Sequence, residues 1–126
     1  MPRRVKIFFD GGFRGSPATM EAAVVVAGRT TILRDLGPGT SGDAEWLALI
    51  HAITIARSLQ LPAFVLIGDS ADVIAKANGV VSCRREDLPH LDQFRALAGS
   101  GRPPRVRQVK RAQNLAGIAL SRSHQR

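Results

Sequence analysis

The chain has 126 residues, 44% of them hydrophobic and 22% charged, which is ordinary for a globular protein and excludes a disordered chain. Its single cysteine, Cys83, excludes an internal disulfide and a thiolate zinc site, and no apolar run is long enough to span a membrane. The formal charge of +8 is uneven: residues 1–92 hold ten Lys/Arg against ten Asp/Glu, and residues 93–126 hold eight Lys/Arg and no acid.

In chain order, residues 5–9 form a short apolar, β-branched run that predicts a first strand ending at Asp10. Gly11-Gly12 and Gly15-Ser16-Pro17 predict a turn. Residues 22–27 and 30–36 predict two strands joined at Gly28-Arg29. Thr40 or Ser41 is placed to cap a helix over 43–59, with Asp43 and Glu45 near its start, where negative charge is favoured. That helix is apolar on two faces, as expected of one covered on both sides, and Trp46 belongs to its buried surface. Residues 64–67 predict a buried strand that stops at Gly68-Asp69-Ser70, and 71–77 a short helix ended by Asn78-Gly79. Residues 80–90 read as irregular, 91–98 as a helix, 105–109 as a last strand and 112–120 as a last helix. The order βββαβαβα, with one extra helix, predicts an α/β fold. Its mixed five-stranded sheet begins with three antiparallel strands, continues in parallel and carries helices on both faces. No linker or repeat divides the chain, so 1–126 is expected to be one domain.

Asp10 and Asp69 both fall at predicted strand ends, and Glu45 in the first turn of the long helix. Ligands of open α/β sheets gather beyond the carboxyl ends of strands. Each acid also has a local explanation: Asp10 closes a turn, Glu45 complements a helix dipole, and Asp69 caps a helix. Together, in a chain with a basic C-terminal third, they favour a site for Mg²⁺ or Mn²⁺ that would act on a phosphodiester. Asp43 and Asp72 lie near these acids and read as solvated helix-start residues; His51 reads as a packed or rim residue. The basic third favours a polyanion, nucleic acid being the commonest; a solvated tail with no specific partner is the plain alternative.

Four motifs then resemble the ribonuclease H family. Phe9-Asp10-Gly11-Gly12-Phe13-Arg14-Gly15-Ser16-Pro17 resembles its opening strand and turn, and Ala44-Glu45-Trp46-Leu47-Ala48-Leu49 its helix motif. Gly68-Asp69-Ser70 resembles its third motif, and Val109-Lys110-Arg111-Ala112-Gln113-Asn114 the opening of its last helix. The resemblance covers nearly the whole chain. It implies a ribonuclease H-like fold and a metal-dependent endonuclease that hydrolyses the RNA strand of RNA–DNA hybrids, using one or two Mg²⁺ or Mn²⁺ ions. It further implies that Asp10, Glu45 and Asp69 hold the metal, with Asp10 bridging two ions and Glu45 near the 2′-hydroxyl. Gly11, Gly12, Arg14, Ser16, Ser41, Arg107, Lys110, Arg111 and Asn114 would contact the RNA–DNA hybrid or other duplex. The family's fourth acid, four residues after the helix Asn, falls on Ile118. Ser16 stands where the family usually has Asn, and Ser41-Gly42 where it has Asn-Asn. A catalytically impaired nucleic-acid binding module is therefore the alternative, and another phosphodiester enzyme of the wider superfamily a more distant one. With no leader segment recognised, a cytoplasmic setting is expected.

Overall fold

The computed structural model describes residues 4–101 and 103–124. Five strands, β1 (Val5–Arg14), β2 (Thr19–Val26), β3 (Arg29–Leu33), β4 (Phe64–Gly68) and β5 (Val106–Gln108), form one sheet in the order β3-β2-β1-β4-β5. β1–β2 and β2–β3 are antiparallel; β1–β4 and β4–β5 are parallel. The helices are α1 (Ser41–Ser58), α2 (Ala71–Ala77), α3 (Leu88–Ala98) and α4 (Leu115–Ser123). The expected mixed sheet is therefore present.

Strand alternation divides the apolar side chains between the two faces. Ile7, Phe9, Ala22, Val24 and Val26 point to one side, where α1, α2 and α3 contribute Trp46, Leu49, Ile53, Val73, Leu91 and Phe94. Ala23, Val25, Phe8 and Ile32 lie on the other side, under Ala116 and Leu120 of α4. Helices thus cover both faces, and α1 is the most deeply packed.

The start of α1 is fixed locally. The Thr40 hydroxyl accepts from Asp43 N at 3.1 Å, and Asp43 Oδ2 accepts from Thr40 N at 2.9 Å. This reciprocal cap satisfies two otherwise orphaned N–H groups. Asp43 is thereby occupied, and it also pairs with His90 at 3.0 Å. Asp72 is likewise engaged: it and Asp87 hold the buried Lys76 ammonium at 2.8 and 2.7 Å. Asp87 also accepts from the Trp46 indole at 3.2 Å, tying α1 to the approach to α3.

Several boundaries differ from expectation. β1 does not end at Asp10; it continues through Gly11-Gly12 to Arg14, because β2 supplies ladder partners as far as Arg14↔Thr19. The turn comes later, at Gly15, where φ is +92°. β3 stops at Leu33, and Asp35, with φ +58°, bends the chain away. Residues 80–90 are not wholly irregular: a 3-10 turn over Arg85–Asp87 leads into α3, which starts at Leu88 with Pro89 in its first turn. β5 is shorter than predicted, with Pro103-Pro104, which lack N–H donors, ahead of it. The last helix starts after Asn114, not at 112, since residues Arg111–Gln113 form a 3-10 turn.

Candidate active site

β1 carries Asp10 beyond its parallel neighbour. The β1–β4 ladder stops at Phe8↔Ile67, β4 ends at Gly68, and Asp69 follows at once. The two carboxylates thus emerge from adjacent parallel strands at their carboxyl ends, where such sheets build sites. Glu45 reaches them because α1 lies against the backbone of β1. A Cβ on Gly11 would sit 2.3 Å from the Ala44 carbonyl, so glycine there permits the approach. The Gly11 N–H donates to Glu45 Oε1 at 3.1 Å. One oxygen each from Asp10, Glu45 and Asp69 lies within 4.8 Å of the others. Among the described residues this is the one such group of potential metal ligands.

Asn114 braces the cluster from α4. Its side chain is fully buried, and Nδ2 donates to Phe9 O at 3.0 Å and to Asp69 Oδ2 at 2.9 Å. Its Oδ1 accepts from Ala116 N at 3.1 Å, capping the helix. The expectation that Asn114 contacts nucleic acid is therefore corrected: every polar position it has is used inside the protein, and it orients Asp69. Gly117 presses α4 onto the cluster, since a Cβ there would lie 3.3 Å from Asp10 Oδ2.

Gathering three acids in a half-buried site is costly. Burial, followed by the negative charge of Asp10, lifts Glu45 from 4.5 to about 9. Burial also lifts Asp10, to about 6, with Asp69 adding to the rise while Glu45 and Arg111 oppose it. Glu45 Oε2 is buried and has no hydrogen-bond partner. A buried Glu45 oxygen without a donor, with Glu45 and Asp10 both held above the ordinary carboxylate range, is the environment a cation would relieve.

A cavity of about 590 Å³ opens beside Asp10, lined in part by Gly11, Gly12, Arg111 and Ile118. Ile118 thus lines the same concavity as Asp10, on the first turn of α4. Arg14 lies further along β1, and Ser16 sits in the exposed β1–β2 turn. Ser41 opens α1 and is exposed, as are Arg107 on β5 and Lys110 just after it. Reading the sequence missed Glu21, whose side chain is only 1% exposed although it sits in β2 opposite Gly12. Its position inside the apolar run of β2 was the available signal. It pairs with His124, which lines the same cavity.

A family model described as reverse transcriptase-like matches residues 9–124. Ribonuclease H1 of the halophilic archaeon Halobacterium salinarum superposes with a TM-score of 0.74 at 28% identity, over 95% of this chain and 99% of that one. The chain belongs to the ribonuclease H family. The N-terminal ribonuclease H domain of a Mycobacterium tuberculosis protein gives a TM-score of 0.71 at 28% identity, covering 97% and 96% of the two chains. LC11-RNase H1 from compost, solved in complex with an RNA/DNA hybrid, shares the fold with a TM-score of 0.72 at 19% identity, over 89% of each chain. No curated protein matches. Within this ribonuclease H-family chain, no helix among the described residues is long and apolar enough to cross a membrane.

Proposed function

We propose that this protein is a metal-dependent endonuclease that hydrolyses the RNA strand of RNA–DNA hybrids, the whole chain acting as one cytoplasmic domain. The observation that carries the reading is the convergence of Asp10, Glu45 and Asp69, from three separate elements, to within 4.8 Å. An all-oxygen donor set with an unpartnered buried Glu45 oxygen fits one or two Mg²⁺ or Mn²⁺ ions. When bound there, the metal supplies Lewis acidity to a phosphodiester and lowers the pKa of water.

The protein's own contribution is positioning. Gly11 N–H fixes one Glu45 oxygen and Asn114 fixes one Asp69 oxygen, so two of the three acids are held before any substrate arrives. Gly11 and Gly12, lining the cavity without side chains, let a nucleic-acid backbone come close to Asp10. Arg111 brings positive charge to the same concavity, and exposed Lys110 and Arg107 extend it toward phosphates. Arg14, Ser16 and Ser41 complete the contacts, the serines offering hydroxyls to sugars and bases.

Ile118 favours a second reading, a binding module of reduced activity, because it places an aliphatic side chain in the concavity where the resemblance expects an acid. Incubation of the protein with an end-labelled RNA–DNA hybrid and Mg²⁺ or Mn²⁺ separates the two. Hybrid cleavage abolished by Asp10→Asn supports the enzyme. Binding without cleavage, or cleavage unaffected by Asp10→Asn, removes it.

A further inference from the structure

Three arginines from distant parts of the chain meet on the α4 side of the sheet. Arg14 at the end of β1, Arg34 just after β3 and Arg122 near the end of α4 line one concavity of about 470 Å³, with Thr30 and Ser123 beside them. Their alignment is partly built. Arg14 donates to Ser123 O at 3.4 Å, and Arg34 Nε stands 3.9 Å from the buried Glu21 carboxylate. Glu21 offsets one of the three charges, leaving an excess of two in the pocket. Arg122 lines both this pocket and the cavity beside Asp10, so the two lie side by side along α4.

We propose that Arg14, Arg34 and Arg122 form a phosphate-binding site that grips the nucleic-acid backbone away from the cleavage position. The proposal rests on the hybrid-nuclease reading for what lies at Asp10, and deepens it by assigning the path of the substrate. Guanidinium forks suit phosphate oxygens, and a site reached by three of them holds a backbone without reading its bases. Arg14 follows Asp10 by four residues of extended strand, roughly 13 Å. A duplex rises that far in about four base steps. The grip therefore falls on one side of the cleavage position only, and hybrids too short on that side do not reach it.

The test measures affinity by fluorescence anisotropy in EDTA, for the full chain with a long RNA–DNA hybrid across a salt series. Arg34→Gln/Arg122→Gln is compared with Arg34→Lys/Arg122→Lys, and with Arg4→Gln, which removes a charge at the opposite end of β1. The expected result is a loss of at least roughly tenfold in affinity for the glutamine pair near 0.1 M salt, with a log–log salt slope shallower by about two, one for each phosphate contact removed. The lysine pair recovers most of the affinity, and Arg4→Gln changes little. With hybrids cut back to two base pairs on one side or the other of the cleavage position, the glutamine pair loses its effect on one of them only. Wild-type affinity and slope in the glutamine pair, or a loss no larger than that of Arg4→Gln, overturns the site. Cleavage of the hybrid in Mg²⁺ is followed in parallel. A wild-type protein that cleaves while the glutamine pair binds normally loses this site and keeps the enzyme. One that never cleaves, yet weakens with the glutamine pair, keeps the site and loses the enzyme. Failure of the wild type to bind any duplex removes both.

Discussion

Replacing Glu45 with glutamine should make the metal-free protein more stable. Glu45 ionises near 4.5 in an unfolded chain and near 9 in the folded one, chiefly because it is buried and then because Asp10 is beside it. At pH 7 the unfolded chain gains from ionising this carboxyl and the folded protein does not, a difference of about 3 kcal/mol at 1.4 kcal/mol per unit. The Glu45→Gln side chain never ionises, keeps an oxygen for the Gly11 N–H, and turns an amide toward the acids in place of the unpartnered Oε2. The sign follows from the raised folded value. Wild-type stability is full below about pH 4.5 and declines as pH rises toward 9, while this contribution is flat in the variant. Urea denaturation in EDTA at pH 5, 6, 7 and 8 should therefore show the two proteins about 1 kcal/mol apart at pH 5 and about 3 kcal/mol apart at pH 7. Millimolar Mn²⁺ should restore the wild type at pH 8 and leave the variant unmoved. A variant no more stable than wild type at pH 7, or an advantage that is the same at pH 5 and pH 8, refutes the reasoning.

Asn114→Ala removes a helix cap and strips Phe9 O and Asp69 of a buried donor, so urea denaturation should show a loss of about 3 kcal/mol. Calorimetric titration with Mn²⁺ should show weaker binding by roughly tenfold, because Asp69 is no longer held. Ile118→Asp should tighten Mn²⁺ binding by roughly tenfold in the same titration and raise the rate of hybrid cleavage. Gly11→Ala drives a methyl to 2.3 Å from the Ala44 carbonyl, so thermal melts should reveal a destabilisation of about 3 kcal/mol or failure to fold. Ala27 sits at φ +48° beside Gly28 at φ +80° in the β2–β3 hairpin. Ala27→Asn should raise stability by about 0.5–1 kcal/mol, measured the same way, since Asn tolerates that region better.

What the sequence made legible was what is decided locally or by element order. The α1 cap, expected at Thr40 or Ser41, is Thr40 and needs only four residues; α2 was bounded correctly at 71–77, but its cap is Ser70 and not Asp69, which is free to face the other acids. Asp10 and Asp69 could be brought together because two apolar runs, each followed by an acid, become parallel neighbours in a sheet of this order. Gly11-Gly12 misled because a turn signal is a local preference, and pairing with β2 outweighs it. The glycine is there for α1, which no neighbouring residue announces. Asn114 has the composition of a surface contact; only the meeting of α4 with β1 and Asp69 turns it inward. The cluster of Arg14, Arg34 and Arg122 was hidden for a like reason, since it depends on β1, β3 and α4 sharing one face.

The bond from Asn114 to Phe9 O joins residues 105 positions apart. A polypeptide leaving the ribosome thus has all three acids in hand well before the side chain that orients Asp69 has been synthesised. Products terminated between Asp69 and Asn114 would carry all three carboxylates without their clasp, and translation alone keeps the cluster unfinished until its last helix emerges.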